Sequence, residues 1–587
     1  MSKFHMTWDI DNIYKGFEDK EFKGAVEKAG GEFFALSKSK EITDASELAE
    51  KLGRFHEAAL LFSTPETYLS MWKRTHESDD GLGSAEKIIG DTALLKQKAL
   101  SKIEHDLANF ALTRPSEEDL KESGLLPYRY MIEESMRLAS HRPAPEIWDM
   151  MLSKREKGSK VWAELRNTLD AKAEVKVPLP EGEKILSLAQ ARALQSSGDP
   201  DIRRIAYEAE IASYPSWEGP MADCLNGIKG EAIDELAPKK YDSVRDEMLD
   251  INKMSQATLD ALHESIEAHL PSLRDYLKTK ARILGCKKGL PWYDLGAPLS
   301  REENSISYDT AHDIVTKALG DFSHELGELA ERAFDSRWID ALPRKGKYSG
   351  GICYDIPALK ENRIIVNYNG SLHDVLTVAH ELGHAYHNRQ LDEAPFILRD
   401  VPTPICETAS LFNETIVSEA LRREQIDSVK LLDTELTEAV QTVMDIYSRY
   451  LFEDAFLKER ASRKLASSEI CSLMVKAQKR VFGYALDASC LHPYMWMNKV
   501  HYYIPGFHYY SYPYYFGMLL SKGLYSSYLK DKEHFPLKYK AFLEASSRAS
   551  IEDVASFAGI DVTSTEFWDG ALSQIDAKCE EFCSKAI

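Results

Sequence analysis

The stretch "VNYNGSLHDVLTVAHELGHAYH", Val366 to His387, changes character halfway along. Its first residues close a β-rich run, "NRIIVNY" (362–368), and Asn369-Gly370 is a turn dipeptide. Ser371, with Asp374 three positions on, resembles a capping box, so a helix is expected to start there. From Leu372 the apolar residues Leu376, Ala379, Leu382 or Gly383, and Tyr386 form one stripe, while His373, Thr377, His380, His384 and His387 form another. His380 and His384, four residues apart, share a face and can place both imidazoles on one tetrahedral Zn²⁺. Glu381 lies one residue round, within reach of a metal-bound water without ligating the metal. The competing reading is a solvated polar face on an ordinary core helix. Chance alone would produce H-E-x-x-H in roughly 4% of chains of this composition, so the motif needs a third donor to carry weight.

A catalytic zinc takes three protein donors and keeps one position open. Downstream, "PTPICETASLFNETIVSEALRRE" (402–424) reads as a second helix beginning after Pro404, with Glu407, Ser410 and Glu414 on one face. A glutamate early on such a helix completes a His₂Glu set; Glu414 and Glu419 otherwise read as solvated surface. His387 competes as a ligand, although a last-turn histidine is commonly dipole-compatible surface. The residues after the second histidine, "AYHNRQ", lack the glycine and third histidine of the metzincins, and no G-x-M-E-N aminopeptidase element occurs. A glutamate-ligated zincin remains.

The rest of the chain suits that reading. At 587 residues it exceeds what one core usually supports, and 44% hydrophobic with 28% charged residues is a soluble globular composition. Amphipathic helical patterns dominate, as in "ELAEKLGRFHEAALLF" (47–62) and "SQATLDALHESIEAHL" (255–270), so the fold is expected to be mainly α. Strand character concentrates in "GGICYDI" (350–356) and "NRIIVNY", just before the motif. "VKVPLPEGEK" (175–184) is the better of two proline-bearing candidates for a lobe boundary, which divides the chain into 1–184 and 185–587. The net charge of −21 argues against nucleic acid or an anionic membrane as partner, and no apolar run is long enough to span a bilayer. A cytoplasmic location is expected. The eight cysteines are scattered and imply neither a zinc knuckle nor a disulfide framework.

These motifs resemble the M3 family of metallopeptidases, in its oligoendopeptidase F branch, whose pattern around the histidines is similar to "VNYNGSLHDVLTVAHELGHAYH". The opening "WDIDNIYKG" and "LSLAQARALQSSGDPDIRRIAYEAE" look like the branch as well. The resemblance implies a mainly α, two-lobed helical zincin: a small β element beside the HExxH helix, a deep substrate channel, and one Zn²⁺ on its floor. It makes Glu407, in "ETASLFNE", the third metal ligand beside His380 and His384, and leaves Glu414 as a supporting candidate. The zinc site then spans 371–420.

The family also carries a histidine- and tyrosine-rich segment that contacts substrate and the developing oxyanion. Its counterpart is "WMNKVHYYIPGFHYYSYPYYFG" (496–517), within a stretch holding eight of the 28 tyrosines between Tyr494 and Tyr515. By spacing from Trp496, His501 matches the family histidine, with His508 competing; Tyr514 is the expected oxyanion partner, and Tyr510, Tyr512 and His508 the expected substrate contacts. An aromatic core stripe is the competing reading for each tyrosine. Gly350 and Gly351, or the "RIIVNY" strand, are expected to align the substrate backbone by β-augmentation. The implied activity is a zinc endopeptidase acting on short, unstructured peptides, with Glu381 as general base. The alternatives are a zinc carboxypeptidase or dipeptidase on a similar scaffold, and a catalytically silent peptide-binding protein.

Overall fold

The computed structural model describes residues 3–76, 81–299, 305–423 and 428–585. They fall into two compact units, each assembled from three stretches of chain. One comprises Met1–Ser140, Glu303–Glu424 and Ser527–Ile560; the other comprises His141–Glu302, Gln425–Ser526 and Asp561–Ile587. The sequential division at 184 does not coincide with either unit, because each is revisited by chain distant in sequence. Punctuation such as a proline-rich stretch reports local breaks and is blind to that return.

Helices dominate both units, as the periodicity predicts. Among the described residues the strands are β1 (Glu174–Leu179), β2 (Gly182–Ser187), β3 (Ile339–Asp340), β4 (Ile352–Ile356) and β5 (Glu361–Ile365). β1 and β2 form an antiparallel hairpin in which Val175 faces Leu186. This hairpin occupies the stretch expected to be a polar boundary, and it corrects the view that strand character lies in one place. Only Val175 and Val177 of β1 are fully buried, so the alternation that marks a half-buried strand is short, and Pro178 weakens it further. The other sheet has the order β3-β5-β4, with β3 parallel and β4 antiparallel to β5.

In the first unit the helices Lys20–Ser37, Ala45–Thr75 and Leu82–Ala111 bury one aromatic-rich core. Phe33 and Phe62 meet edge to face at 5.9 Å, and Tyr14 and Tyr68 at 5.4 Å. Each such ring contributes roughly 2–3 kcal/mol by leaving water. Ile356 of β4 and Ile365 of β5 belong to the same core, so the sheet is anchored to the helices before it meets any functional residue. Helix α1 (Leu372–Gln390) follows β5, and helix α2 (Thr408–Arg423) lies beside α1.

The second unit contains a buried ionic cluster with a consequence for acid stability. Glu210 is 1% exposed, accepts from the Tyr214 hydroxyl at 2.6 Å and lies 3.2 Å from His492 Nε2. Burial by itself would raise its pKa; the charge and hydrogen bond of His492, with help from Tyr214 and Arg192, outweigh burial and hold it at about 2 against an ordinary 4.5. A depressed carboxylate pKa stabilises the fold fully above the unfolded value and loses that contribution as pH falls toward the folded value. The window is therefore pH 4.5 down to about 2. Urea unfolding between pH 5 and 3 is expected to show a steep loss of stability in wild type. Glu210→Gln should be less stable at pH 7, with a shallower pH dependence in the acid range.

Candidate active site

α1 begins where the sequence places it. Ser371 Oγ accepts from the Asp374 N–H at 3.1 Å, and Asp374 Oδ2 accepts from the N–H groups of Ser371 at 3.1 Å and Asn369 at 2.7 Å. Gly370, with φ of +95°, supplies the left-handed turn ahead of the cap. The helix is buried on more than one stripe: Val375, Val378, Ala379, Leu382, Ala385, Tyr386 and His387 are all inside. His387 is thus no surface group. It is 4% exposed, its Nε2 pairs with Ser546 Oγ at 2.7 Å, and burial drives its pKa down to about 3.

The two helices touch at Gly383. A Cβ there would come 2.4 Å from the Ala409 carbonyl oxygen and 2.5 Å from Ser410 Cα, both backbone atoms of α2. A glycine in a helix interior costs about 1 kcal/mol against alanine, and this close approach is the compensating reason. Gly383→Ala must force the helices apart, so thermal unfolding is expected to show a loss of about 1–3 kcal/mol despite the better helix former. Metal stoichiometry is expected to fall with it, because the same contact sets the site.

Glu407 sits between the short helix Thr403–Cys406 and α2, and the approach of the helices brings it to the two histidines. Its Oε2 is 3.3 Å from His380 Nε2 and 3.3 Å from His384 Nε2. Donors bonded tetrahedrally to zinc at about 2.0–2.1 Å stand about 3.3–3.4 Å apart, so these spacings fit the ion. His380, His384 and Glu407 form a cluster whose donor atoms all lie within 4.8 Å of one another. Behind them, Glu414 Oε1 pairs with His380 Nδ1 at 2.5 Å, and Ser410 Oγ donates to Glu407 Oε2 at 3.1 Å. Glu414 thus holds a donor in place and is not the surface group its sequence position also allowed. The three donor side chains are 22–34% exposed, leaving one side of the cluster open.

Glu381 differs from them. It is 4% exposed, and its Oε2 is buried with no hydrogen-bond partner among the described residues. Burial pushes its pKa above the usual carboxylate range, with the charges of Glu407 and Glu414 adding to the rise and those of His380 and His384 opposing it. An acceptor oxygen desolvated and unused by the protein costs free energy, and a bound water or ion would satisfy it. Gly350 and Gly351 precede β4, and Gly351 lies against this carboxylate.

The histidine- and tyrosine-rich segment belongs to the second unit. Within it, His501 Nε2 is 3.5 Å from the Tyr514 hydroxyl, and the Tyr510 ring lies 5.4 Å from the imidazole, centroid to centroid. Burial, then the charges of Arg449 and Lys499, lower the His501 pKa to about 4, so the ring is neutral at pH 7. Tyr512 and His508 depart from the expected substrate contacts. Tyr512 is wholly buried, being two residues from Tyr514 on a helix and therefore on another face. His508 Nδ1 meets Lys229 Nζ at 3.1 Å, beside the buried Lys229–Glu453 pair. The aromatic-core reading fits Tyr512; His501, Tyr510 and Tyr514 remain together.

Fold and site define a class: a mainly helical protein with a His₂Glu donor set able to hold a metal ion, and a buried carboxylate next to it. Residues 193–574 match the sequence model of peptidase family M3, well over half of the chain. The protein belongs to that family. It is 28% identical over 423 residues to an oligoendopeptidase F homolog of Lactococcus lactis subsp. lactis, covering 70% of this chain and 69% of that one. It is 25% identical to oligopeptidase PepF of Bacillus subtilis, covering 98% of this chain and 86% of the relative. In fold it is similar to a putative peptidase from Chlamydophila abortus (TM-score 0.84, 22% identity, 99% and 98% of the two chains). The oligoendopeptidase-F of Enterococcus faecium is also similar (TM-score 0.68, 18% identity, 96% and 97%). Among the described residues no helix is long and apolar enough to cross a membrane.

Proposed function

We propose that the protein is a zinc-dependent endopeptidase, with one ion per chain, that hydrolyses internal bonds of short, unstructured oligopeptides. The observation that carries this reading is the spacing of His380, His384 and Glu407 at tetrahedral-edge distances, with Glu381, adjacent to His380 in sequence, holding an oxygen that has no hydrogen-bond partner among the described residues. The names of the relatives, oligoendopeptidase F and oligopeptidase PepF, support the substrate class.

His380, His384 and Glu407 would hold the zinc, which when bound supplies Lewis acidity to polarise a peptide carbonyl and acidify water. Glu414 fixes the His380 tautomer: with the proton on Nδ1 directed at its carboxylate, Nε2 presents a lone pair. Glu381 Oε2 takes a proton from the attacking water and returns it to the leaving amine. The family resemblance assigns His501 and Tyr514 the role of hydrogen-bonding the developing oxyanion, a role worth about 3 kcal/mol per donor; within their own unit the two lie 3.5 Å apart and His501 is neutral. The family resemblance also assigns substrate contact to Tyr510, whose ring lies 5.4 Å from that of His501, and the Gly350–Gly351 backbone ahead of β4 would separately align an extended peptide.

The test uses an internally quenched peptide blocked at both ends. Internal cleavage that a chelator abolishes and zinc restores is the expected result. Resistance of the blocked peptide, with stepwise release from a free carboxyl end, would replace the endopeptidase by a carboxypeptidase. Hydrolysis indifferent to chelation would remove the metal from the reaction.

A further inference from the structure

Gly351 stands immediately before β4 and does not have a left-handed φ, so its backbone conformation is open to any residue. Space is what forbids a side chain. A Cβ on Gly351 would lie 2.3 Å from Glu381 Oε1, 3.1 Å from Glu381 Cδ and 3.3 Å from Thr377 Cγ2. Non-bonded heavy atoms settle at roughly 3.5–4.0 Å, so the carboxylate would have to retreat by about 1 Å or more.

The adjacent glycine shows the contrast. A Cβ on Gly350 would meet the Tyr348 ring at 2.7 Å. Tyr348 is 36% exposed and its ring can turn outward. Glu381 is 4% exposed, in a helix packed on several sides, and its carboxylate cannot yield without leaving its position.

We infer that Gly351 is a positioning residue for Glu381: the missing side chain is what lets the carboxylate lie against β4 with Oε2 free of hydrogen-bond partners among the described residues. This shifts the weight of the Gly350–Gly351 stretch from reading substrate backbone to seating the base, and it rests on Glu381 being that base. A carboxylate displaced by about 1 Å forfeits on the order of 100-fold in turnover, because proton transfer requires hydrogen-bond reach. A loss of substrate alignment would appear in KM instead.

Shortening the base tests the idea. Glu381→Asp withdraws the carboxylate by one carbon–carbon bond, about 1.5 Å, and so makes room for a methyl group at 351. Turnover and KM are measured for Gly351→Ala, Glu381→Asp and the double variant on the blocked quenched peptide, with bound zinc and thermal midpoint recorded for each. The expected result is that Gly351→Ala lowers kcat about 100-fold when Glu381 is intact, with KM little changed. Added to Glu381→Asp, the same change should cost no more than about threefold, a clear departure from additivity. Equal factors in both backgrounds, or an effect confined to KM, would overturn the inference. Should Gly351→Ala destabilise the fold, Glu381→Asp must restore the thermal midpoint by relieving the same clash; failure to do so also overturns it. If Glu381→Asp alone turns over like wild type, a carboxylate withdrawn by about 1.5 Å still serves and the positioning role of Gly351 falls, while the base assignment falls only if Glu381→Gln retains turnover with zinc bound. If Glu381→Asp is slow and the pair is additive, only the role of Gly351 falls.

Discussion

Glu381→Gln is expected to lower kcat/KM on a blocked peptide by about 10²–10⁴-fold, the range associated with loss of a general base, while bound zinc stays at the wild-type level. The amide has the shape of the carboxylate and fits the space beside Gly351. Glu381 Oε2 has no hydrogen-bond partner among the described residues, so the exchange forfeits no contact there. Burial has raised the carboxylate pKa, which means the ionised form is the disfavoured one in the fold. A neutral amide is therefore expected to hold or raise the thermal midpoint. Activity lost with metal and stability retained isolates proton transfer from folding and ligation. Near-normal turnover with zinc still bound would refute the role of Glu381.

Glu407→Gln is expected to act through the metal. The anionic donor lies 3.3 Å from both imidazole Nε2 atoms and is steadied by the Ser410 hydroxyl. A neutral amide is a poor zinc ligand, so affinity should fall by more than about 100-fold, beyond what loss of a supporting hydrogen bond costs. Activity should be absent in zinc-buffered solution and recover partly in excess zinc, with the circular dichroism spectrum unchanged. Glu419→Gln provides the comparison: this glutamate lies further along the same helix and pairs with Arg422, and its loss is expected to leave zinc affinity intact. Equal zinc affinity in the Glu407 and Glu419 variants would remove Glu407 from the donor set.

Much of the metal-site geometry follows from patterns only a few residues long. The turn at Asn369-Gly370, the Ser371–Asp374 cap and the i,i+4 spacing of His380 and His384 act within one or two helical turns, and backbone hydrogen bonding enforces them locally. Both β-rich runs before the helix appear as β4 and β5, since alternation and β-branched content are equally local. The hairpin at 174–187 escaped because its buried face amounts to two valines. Burial on several sides of α1 escaped as well: a histidine such as His387 carries no local sign of being 4% exposed against Ser546, 159 residues away.

The tyrosine segment shows the same limit. Composition singled it out, yet Tyr510, Tyr512 and Tyr514 are chemically identical in sequence. Helical rotation turns Tyr512 into the core and leaves Tyr514 beside His501, and that sorting depends on what packs against the helix.

By itself, then, the sequence determined the mainly helical class, the helix that carries His380, Glu381 and His384, the acidic stretch from which a third donor comes, and the family resemblance, all of them properties of short-range periodicity and motif. Tertiary structure decided the rest. It decided that Glu407 meets the histidines while Glu414 backs His380, and that Gly383 is the point where two helices meet. It also decided that Gly351 leaves the space Glu381 occupies, and that three separated stretches of chain build each unit. The physical reason is that these facts are distances between atoms far apart in sequence. Such distances are set by close packing of elements against one another, to which no local pattern has access.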